Sequence, residues 1–179
     1  MSLVRIYFIV IACAICSNLN AQNPVGFGFE FQAYPTGLIP GIYFEHAIGD
    51  KSDIYARLGY NWIRHRDLGK HDDERGDGFG FSIGYKRFLS NSAKTKWRIG
   101  IKNDIWWNSI NWTDGIDSGN TQITVVQPTL ELGYVWQKNN LFISPTLAFG
   151  YEVNVRTEGS PTGEGAILLL GFQVGRKQY

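Results

Sequence analysis

Nine charged residues share one phase of an alternating pattern. Strands with this pattern would point all nine side chains into one interior. Acids and bases are nearly balanced among them, and buried charges are very costly unless they are paired. We therefore expect a connected network of ion pairs. Its predicted members are Glu30, Glu45, Arg57, Lys86, Arg98, Lys102, Asp104, Glu131 and Glu152.

Such a network has more than one chemical interpretation. It can be a structural plug, in which matched charges replace an apolar core, or a path for protons or ions, or a salt-bridge switch. Near-balanced charge in a narrow interior fills space and blocks flow, which favours the plug. The narrow channel remains an alternative.

The histidines are the candidates for acid–base catalysis. His46 lies near the end of a predicted strand, and His65 and His71 lie in or beside a polar loop. Hydrolysis or acyl transfer needs a serine beside a histidine and a carboxylate. Ser82, the nearest serine to a loop histidine in sequence, is placed well down a strand, so we predict no catalytic residue. A lipid-modifying deacylase or acyltransferase is the enzymatic alternative.

Polar loop segments are the remaining candidate ligand sites. Carboxylates and glycines alternate over 65–78, but basic residues interleave and the spacing fits no EF-hand, which favours a solvated loop over a calcium site. Trp112 lies close to Asp114 and Asp117, where it could face a sugar or a partner, or cap a barrel mouth. We predict neither a metal nor a cofactor.

Strands must position these residues, because large apolar residues alternate with polar ones from about Val25 onward. Phe27, Phe29 and Phe31 show the pattern. Eight strands are predicted, roughly over 24–34, 40–48, 52–64, 78–88, 97–109, 122–136, 141–154 and 166–177. Short turns alternate with longer polar connections, except that the first connection on the side of the longer ones is also short. The longer connections are 65–77, 110–121 and 155–165. The pattern predicts an all-β, eight-stranded antiparallel up-and-down transmembrane β-barrel.

The aromatic residues of the apolar phase sort into two levels, as expected for membrane interfaces. The predicted girdle consists of Tyr60, Trp62, Tyr85, Trp107, Tyr134, Trp136 and Tyr151. A soluble lipocalin-like barrel is the alternative of a different class, and it would need an apolar interior.

Residues 1–21 have the layout of a secretory signal, with a basic start, an apolar stretch and a small residue before Gln22. A lipoprotein box ending at Cys13 is the rival interpretation. The barrel domain is then 22–179. Without Arg5 the 17 bases become 16, equal to the 16 acids, so no basic excess points to nucleic acid.

These features together resemble the small eight-stranded outer-membrane barrels of the OmpA-transmembrane and OmpX type. The resemblance covers nearly all of 22–179 and rests on the signal, the amphipathic strands and repeated Gly-Tyr pairs such as Gly59-Tyr60 and Gly84-Tyr85. The Ala21-Gln22 junction is similar to Bacteroidetes signals. The final strand is predicted to end near Gly175. The insertion machinery is then expected to recognise Leu168, Leu170, Phe172 and Val174.

The resemblance implies a non-enzymatic protein of a Gram-negative outer membrane, with both mature termini in the periplasm. A charge-plugged lumen is expected, with action in envelope integrity or in surface binding through the extracellular loops. The implied partners are the bilayer and lipopolysaccharide, the insertion machinery and an unidentified surface partner.

Overall fold

The computed structural model describes residues 25–66, 69–89 and 95–178, so the predicted signal segment and Cys13 lie outside the described residues. Eight strands pair in chain order and β8 pairs back with β1, which closes an antiparallel barrel and confirms the predicted fold. The strands are β1 (Val25–Tyr34), β2 (Gly37–Gly49), β3 (Ser52–Arg66), β4 (Asp73–Phe88), β5 (Thr95–Asp114), β6 (Asp117–Lys138), β7 (Leu141–Glu158) and β8 (Gly165–Gln178).

The two phases of each strand face opposite environments, because successive side chains of a strand point to opposite sides of the sheet. Outward-facing Phe29, Leu58 and Phe79 are 67%, 63% and 70% exposed. Inward-facing Glu30 and Arg57 are buried. A continuous apolar belt of this size is unfavourable in water and suits contact with lipid. None of the described residues forms a helix long and apolar enough to cross a membrane.

We call the end with the β2–β3, β4–β5 and β6–β7 connections the turn end, and the opposite end the loop end. At the loop end the strands are longer than the sequence predicted. The expected loop 110–121 is wrong, because β5 and β6 continue to Asp114 and from Asp117 and leave a tight turn at Gly115 and Ile116. The apolar alternation ends where the strands leave the lipid. The strands themselves continue into water, because their backbone N–H and C=O groups still pair with each other.

The final strand also extends further than predicted. It runs to Gln178 rather than ending near Gly175. The reason is that Lys177 turns inward, where its ammonium contacts the Asp53 carboxylate at 2.8 and 2.7 Å. This pair lies inside the turn end, and the charge of Lys177 concealed its inward phase in the sequence.

Prolines interrupt one seam of the barrel. Pro128 pairs with Asn103 on β5, and Pro145 pairs with Phe172 on β8. Each proline therefore pairs normally with the neighbouring strand that lies away from the β6–β7 seam. The β6–β7 pairing joins Val126 to Val153 and then resumes at Thr129. Proline has no N–H to donate, so both prolines weaken the ladder at the same seam.

Candidate functional site

The barrel lumen brings together eight of the nine predicted charges. All eight are buried, and they come from β1 to β6, so only the closed sheet makes them neighbours. They are Glu30, Glu45, Arg57, Lys86, Arg98, Lys102, Asp104 and Glu131. Each faces the lumen because it falls on the inward phase of its strand.

Arg57 is the centre of one half of this network. Its guanidinium lies 2.8 Å from the Glu30 carboxylate and 2.9 Å from that of Asp104. It also donates to the Gln32 side-chain oxygen at 2.6 Å and to the Ser82 hydroxyl at 3.0 Å. The planar guanidinium presents several donors in a fixed fork, which is why one arginine satisfies so many acceptors.

Lys86 and Arg98 form the other half of the network. Both contact the Glu45 carboxylate, at 2.8 and 3.2 Å. Gln173 links the halves, because its oxygen accepts from Arg98 while its amide nitrogen donates to Glu30. Lys86 also lies over the Tyr55 ring, with its ammonium 3.7 Å from the ring centre.

Lys102 and Glu131 occupy the space between the halves. The Lys102 ammonium lies 3.6 Å from Glu30, 3.8 Å from Asp104 and 4.0 Å from Glu131. Glu131 is also 3.8 Å from Lys86, so it is held between two ammonium groups. Every charge of the network therefore has an opposite charge within ion-pair distance.

Uncharged polar residues complete the network, and sequence reasoning missed them. Gln32, Ser82 and Gln173 are buried in the lumen, and the Tyr55 hydroxyl donates to Glu30 at 2.5 Å. Their inward phase could have identified them, because it is the same signal that identified the charged residues. Such partners reduce the penalty of burying charge by occupying the remaining lone pairs and protons.

Two apolar clusters also occupy the lumen, and sequence reasoning missed both of them. Towards the loop end, Trp106 packs with the residues Ile39, Ile63, Ile110, Ile123, Val125, Ala148, Ile167 and Leu169. Towards the turn end, Tyr43, Tyr55, Val135 and Phe142 form a second cluster. The first cluster forms an apolar layer on the loop side of the charges. In the second cluster the rings of Tyr43 and Tyr55 lie beside the Lys86 ammonium, and the Lys177–Asp53 pair lies at the turn end.

Glu152 is the predicted network member that the structure leaves outside. It lies at the loop-end mouth, beside a cavity of about 250 Å³ that Tyr34 and His65 also line. No ion pair joins Glu152 to another residue in the described part of the chain.

The predicted girdle residues lie on the outer face, in two aromatic clusters. At the loop end the Tyr60 ring contacts Trp62 and Phe79, with ring centres 5.4 and 4.8 Å apart. At the turn end Tyr134 lies 4.7 Å from Trp136 and 4.7 Å from Trp97, a residue that the sequence analysis missed. Trp107 and Tyr151 are about half exposed, and the Tyr85 hydroxyl contacts Ser52.

The loop histidines each contact a carboxylate. His65 Nδ1 lies 2.7 Å from Glu74, and His71 Nδ1 lies 2.6 Å from Asp114. The His71 ring also stacks on Trp112, with ring centres 4.3 Å apart. Trp112 thus packs in the contact between the β3–β4 loop and the β5–β6 hairpin.

The comparisons with known proteins bear on the fold. No family model and no curated protein matches the chain. Among solved structures, Neisserial surface protein A is 12% identical with a TM-score of 0.53, over 86% of this chain and 94% of that one. The N-terminal β-barrel domain of Pseudomonas aeruginosa OprF is 14% identical with a TM-score of 0.53, over 86% and 98%. Ail, the attachment invasion locus protein of Yersinia pestis, is 7% identical with a TM-score of 0.51, over 87% and 97%.

These matches cover most of this chain and nearly all of each of the other chains. The chain has the fold of the small eight-stranded outer-membrane barrels. An outer-membrane barrel of eight strands has a lumen just wide enough for side chains to fill it. The layered interior described above is therefore a property of this size of barrel, and its composition is particular to this chain.

Catalytic chemistry in this outer-membrane barrel would require a serine within reach of a histidine. Ser82 instead lies in the charged layer, where its hydroxyl donates to Asp104 and accepts from Arg57. At the loop end the carboxylates are engaged by the protein itself, since Glu74 accepts the backbone N–H groups of Lys70 and His71. Across the residues that the structure describes, no group of three or more metal-ligating side chains is clustered.

Asp114 controls the contact between the β3–β4 loop and the β5–β6 hairpin. The pKa of its carboxyl group lies below its ordinary value, because the His71 side chain donates to it and the Asp72 amide does so as well, at 2.8 Å. Because this pKa is lowered, the contact contributes its full stabilisation above the pKa that the carboxyl group has in the unfolded chain. That stabilisation is lost as the pH falls through the lowered value. The loop contact should therefore persist through mildly acidic conditions.

Replacing Asp114 with asparagine should loosen this contact. We expect faster hydrogen–deuterium exchange at Asp72 in Asp114→Asn than in the wild type at neutral pH. Asp117→Asn is the matched control, because Asp117 is an exposed acid of the same hairpin with no side-chain contact in the described part of the chain. Equal exchange in the two variants would show that Asp114 does not hold the loop.

Proposed function

We propose that this chain is a non-enzymatic protein of a Gram-negative outer membrane that does not conduct and acts through its loop end. The observation that carries this proposal is the lumen, which is filled by buried, paired charges and by two apolar clusters. Ions lose hydration on entering an apolar constriction, and no free charge offers compensation there. The exposed apolar belt with its aromatic clusters supports the placement in a membrane.

The proposed orientation puts the turn end and both mature termini in the periplasm and the loop end outside. Small outer-membrane barrels have short periplasmic turns and longer outer connections. The β4–β5–β6 wall projects beyond the outer aromatic cluster and presents an acidic surface. Its exposed acids include Asp77 and Asp117, and Asp72 lies in the adjoining β3–β4 loop. A surface partner should accordingly be neutral or basic at the contact, or be bridged by cations.

Two kinds of role are compatible with such a wall, namely support of the envelope and binding at the surface. Among the similar barrels, one is named a surface protein and another an attachment protein. Insertion is proposed to use the outward residues of β8, and these are exposed as required. They are Leu168, Leu170, Phe172 and Val174. Lipopolysaccharide is the proposed lipid neighbour at the loop end.

The experiment compares cells without the protein, cells with the wild type, and cells in which residues 111–120 are replaced by Asn-Gly. Ile110 and Thr121 are paired, so the shortened hairpin retains its register. We expect loss of the protein to raise sensitivity to a large antibiotic such as vancomycin, and the shortened hairpin to restore resistance only in part. Equal sensitivity of all strains would contradict a role in envelope integrity through the loop end.

The enzymatic alternative makes a separate prediction about lipid A. If the chain removed or transferred acyl groups, mass spectrometry would show a different acylation pattern in cells with and without it. We expect identical patterns, because the loop histidines His65 and His71 contact carboxylates and the buried Ser82 hydroxyl bonds to Asp104 and Arg57 instead. A changed pattern that depends on His65 would overturn the non-enzymatic proposal.

A further inference from the structure

Four exposed basic residues of the described chain lie at the turn end, and three of them are on the strand phase that faces the membrane. Arg87, Lys138 and Arg176 each lie two residues beyond an outward apolar or aromatic residue of the same strand. Lys51 lies in the β2–β3 turn, next to β4, where its carbonyl accepts the Phe88 amide at 2.8 Å. None of the four has an ion-pair partner among residues 25–66, 69–89 and 95–178.

The acids are distributed the other way. At the turn end Asp50 is the exposed acid of the described residues, because Asp53 is buried against Lys177. At the loop end the exposed acids outnumber the bases, and two of those bases are already paired. Arg75 contacts Asp73, and Arg156 contacts Glu158. Among the described residues, the turn end therefore presents more exposed bases than exposed acids, and the loop end presents the reverse.

The strand register places two of the bases beside one apolar residue. Lys138 on β6 pairs with Leu141 on β7, and Leu141 pairs with Arg176 on β8. Leu141 is 58% exposed, and Phe27 continues the row beyond Arg176 with 51% exposure. Two strand spacings of about 4.8 Å separate the basic residues, so their flexible side chains span roughly 10 Å.

This row has the parts needed to hold an anionic lipid. Leu141 and Phe27 offer apolar contact for an acyl chain, and Trp136 marks the level of the interface two residues from Lys138. An arginine and a lysine directly beyond that level lie where headgroup phosphates lie, and both types bind phosphate by charge-assisted hydrogen bonds. Lys51 and Arg87 repeat the arrangement beside Tyr85.

We propose that the turn end is a binding surface for anionic glycerophospholipid headgroups, with the Lys138–Leu141–Arg176 row as its principal site. The selectivity is for negative charge in the headgroup, since a zwitterionic headgroup carries a compensating positive charge. The surface is separate from the lumen and from the loop end, so it stands whether or not the chain acts at the cell surface. In the proposed orientation it faces the periplasmic leaflet.

The test is native mass spectrometry of the purified, folded chain in detergent, with phosphatidylglycerol or phosphatidylethanolamine of identical acyl chains. We expect phosphatidylglycerol to be retained preferentially by the wild type. In Lys138→Gln/Arg176→Gln its affinity should fall by about fivefold for each removed charge, the usual effect of a basic residue near an anionic surface. Arg75→Gln/Arg156→Gln is the control, because it removes the same number of bases at the loop end and should retain the wild-type preference.

Three outcomes would overturn the proposal. The wild type could show no preference for the anionic lipid, both double variants could lose the preference equally, or the Lys138/Arg176 variant could keep it. Retention of the wild type on isolated cell-wall sacculi, lost in that variant without any lipid preference, would assign the surface to the cell wall instead. Resistance to unfolding in cold SDS verifies that each variant is folded, and none of these outcomes depends on the loop-end role.

Discussion

Replacement of Arg57 with methionine is expected to lower the free energy of unfolding by about 3–5 kcal/mol. Arg57 is 2% exposed and contacts both Glu30 and Asp104. Methionine retains most of the side-chain length, so the loss comes from the charge and not from an empty space. Without the guanidinium two buried carboxylates lose their nearest cation, which is far more costly than a lost surface pair.

The matched control is Arg75→Met, which removes an arginine of the same barrel from an exposed ion pair with Asp73. Exposed pairs contribute about 0–1 kcal/mol, so this variant should unfold close to the wild type. Urea unfolding from lipid vesicles, followed by tryptophan fluorescence, measures both. Equal stability of the two variants would show that the lumen charges are not a tightly coupled network.

The second large effect is expected from Trp106→Ala. The indole is completely buried, it is the largest member of the loop-end apolar layer, and Arg57 lies 5.5 Å from its ring centre. The lumen makes room for it with glycine, since a Cβ added at Gly59 would lie 2.9 Å from the ring. Removing a buried tryptophan leaves a large cavity, and we expect a loss of about 3–5 kcal/mol.

Trp107→Ala is the control that separates the effect of packing in the lumen from the effect of losing any tryptophan side chain. Trp107 is the next residue on the same strand but faces outward and is 53% exposed. Its removal forfeits interface contact without opening a cavity in the lumen, so its cost should be clearly smaller. The same urea titration compares the two variants. A larger loss for Trp107 would mean that the apolar layer does not stabilise the barrel.

The strands were predictable because lipid contact and lumen contact impose a strict alternation on them. The middle of β3, from Ile54 to Trp62, shows it without exception. Their ends at the loop end were not predictable in the same way. Beyond the aromatic level both phases of β5 and β6 are polar or mixed, so backbone pairing alone continues the sheet to Asp114 and Asp117.

The lumen was predictable in its membership and not in its arrangement. Phase alone identified Arg57 and Glu30 as inward-facing, and they do meet at 2.8 Å. Phase could not show that Glu152 lies outside the ion pairs, because height in a closed barrel depends on strand tilt and stagger as well as on sequence position. Ile39, Ile110 and Ile123 were on the inward phase as well. They form part of the loop-end apolar layer.

The closed lumen is tested most directly by electrical recording of the purified, folded wild-type chain in planar lipid bilayers. A stack of apolar and paired charged layers has no continuous hydrated path, so we expect silent bilayers even at high protein load, with a known porin as the positive control. Discrete, reproducible single-channel steps that disappear when the chain is unfolded before addition would contradict the account.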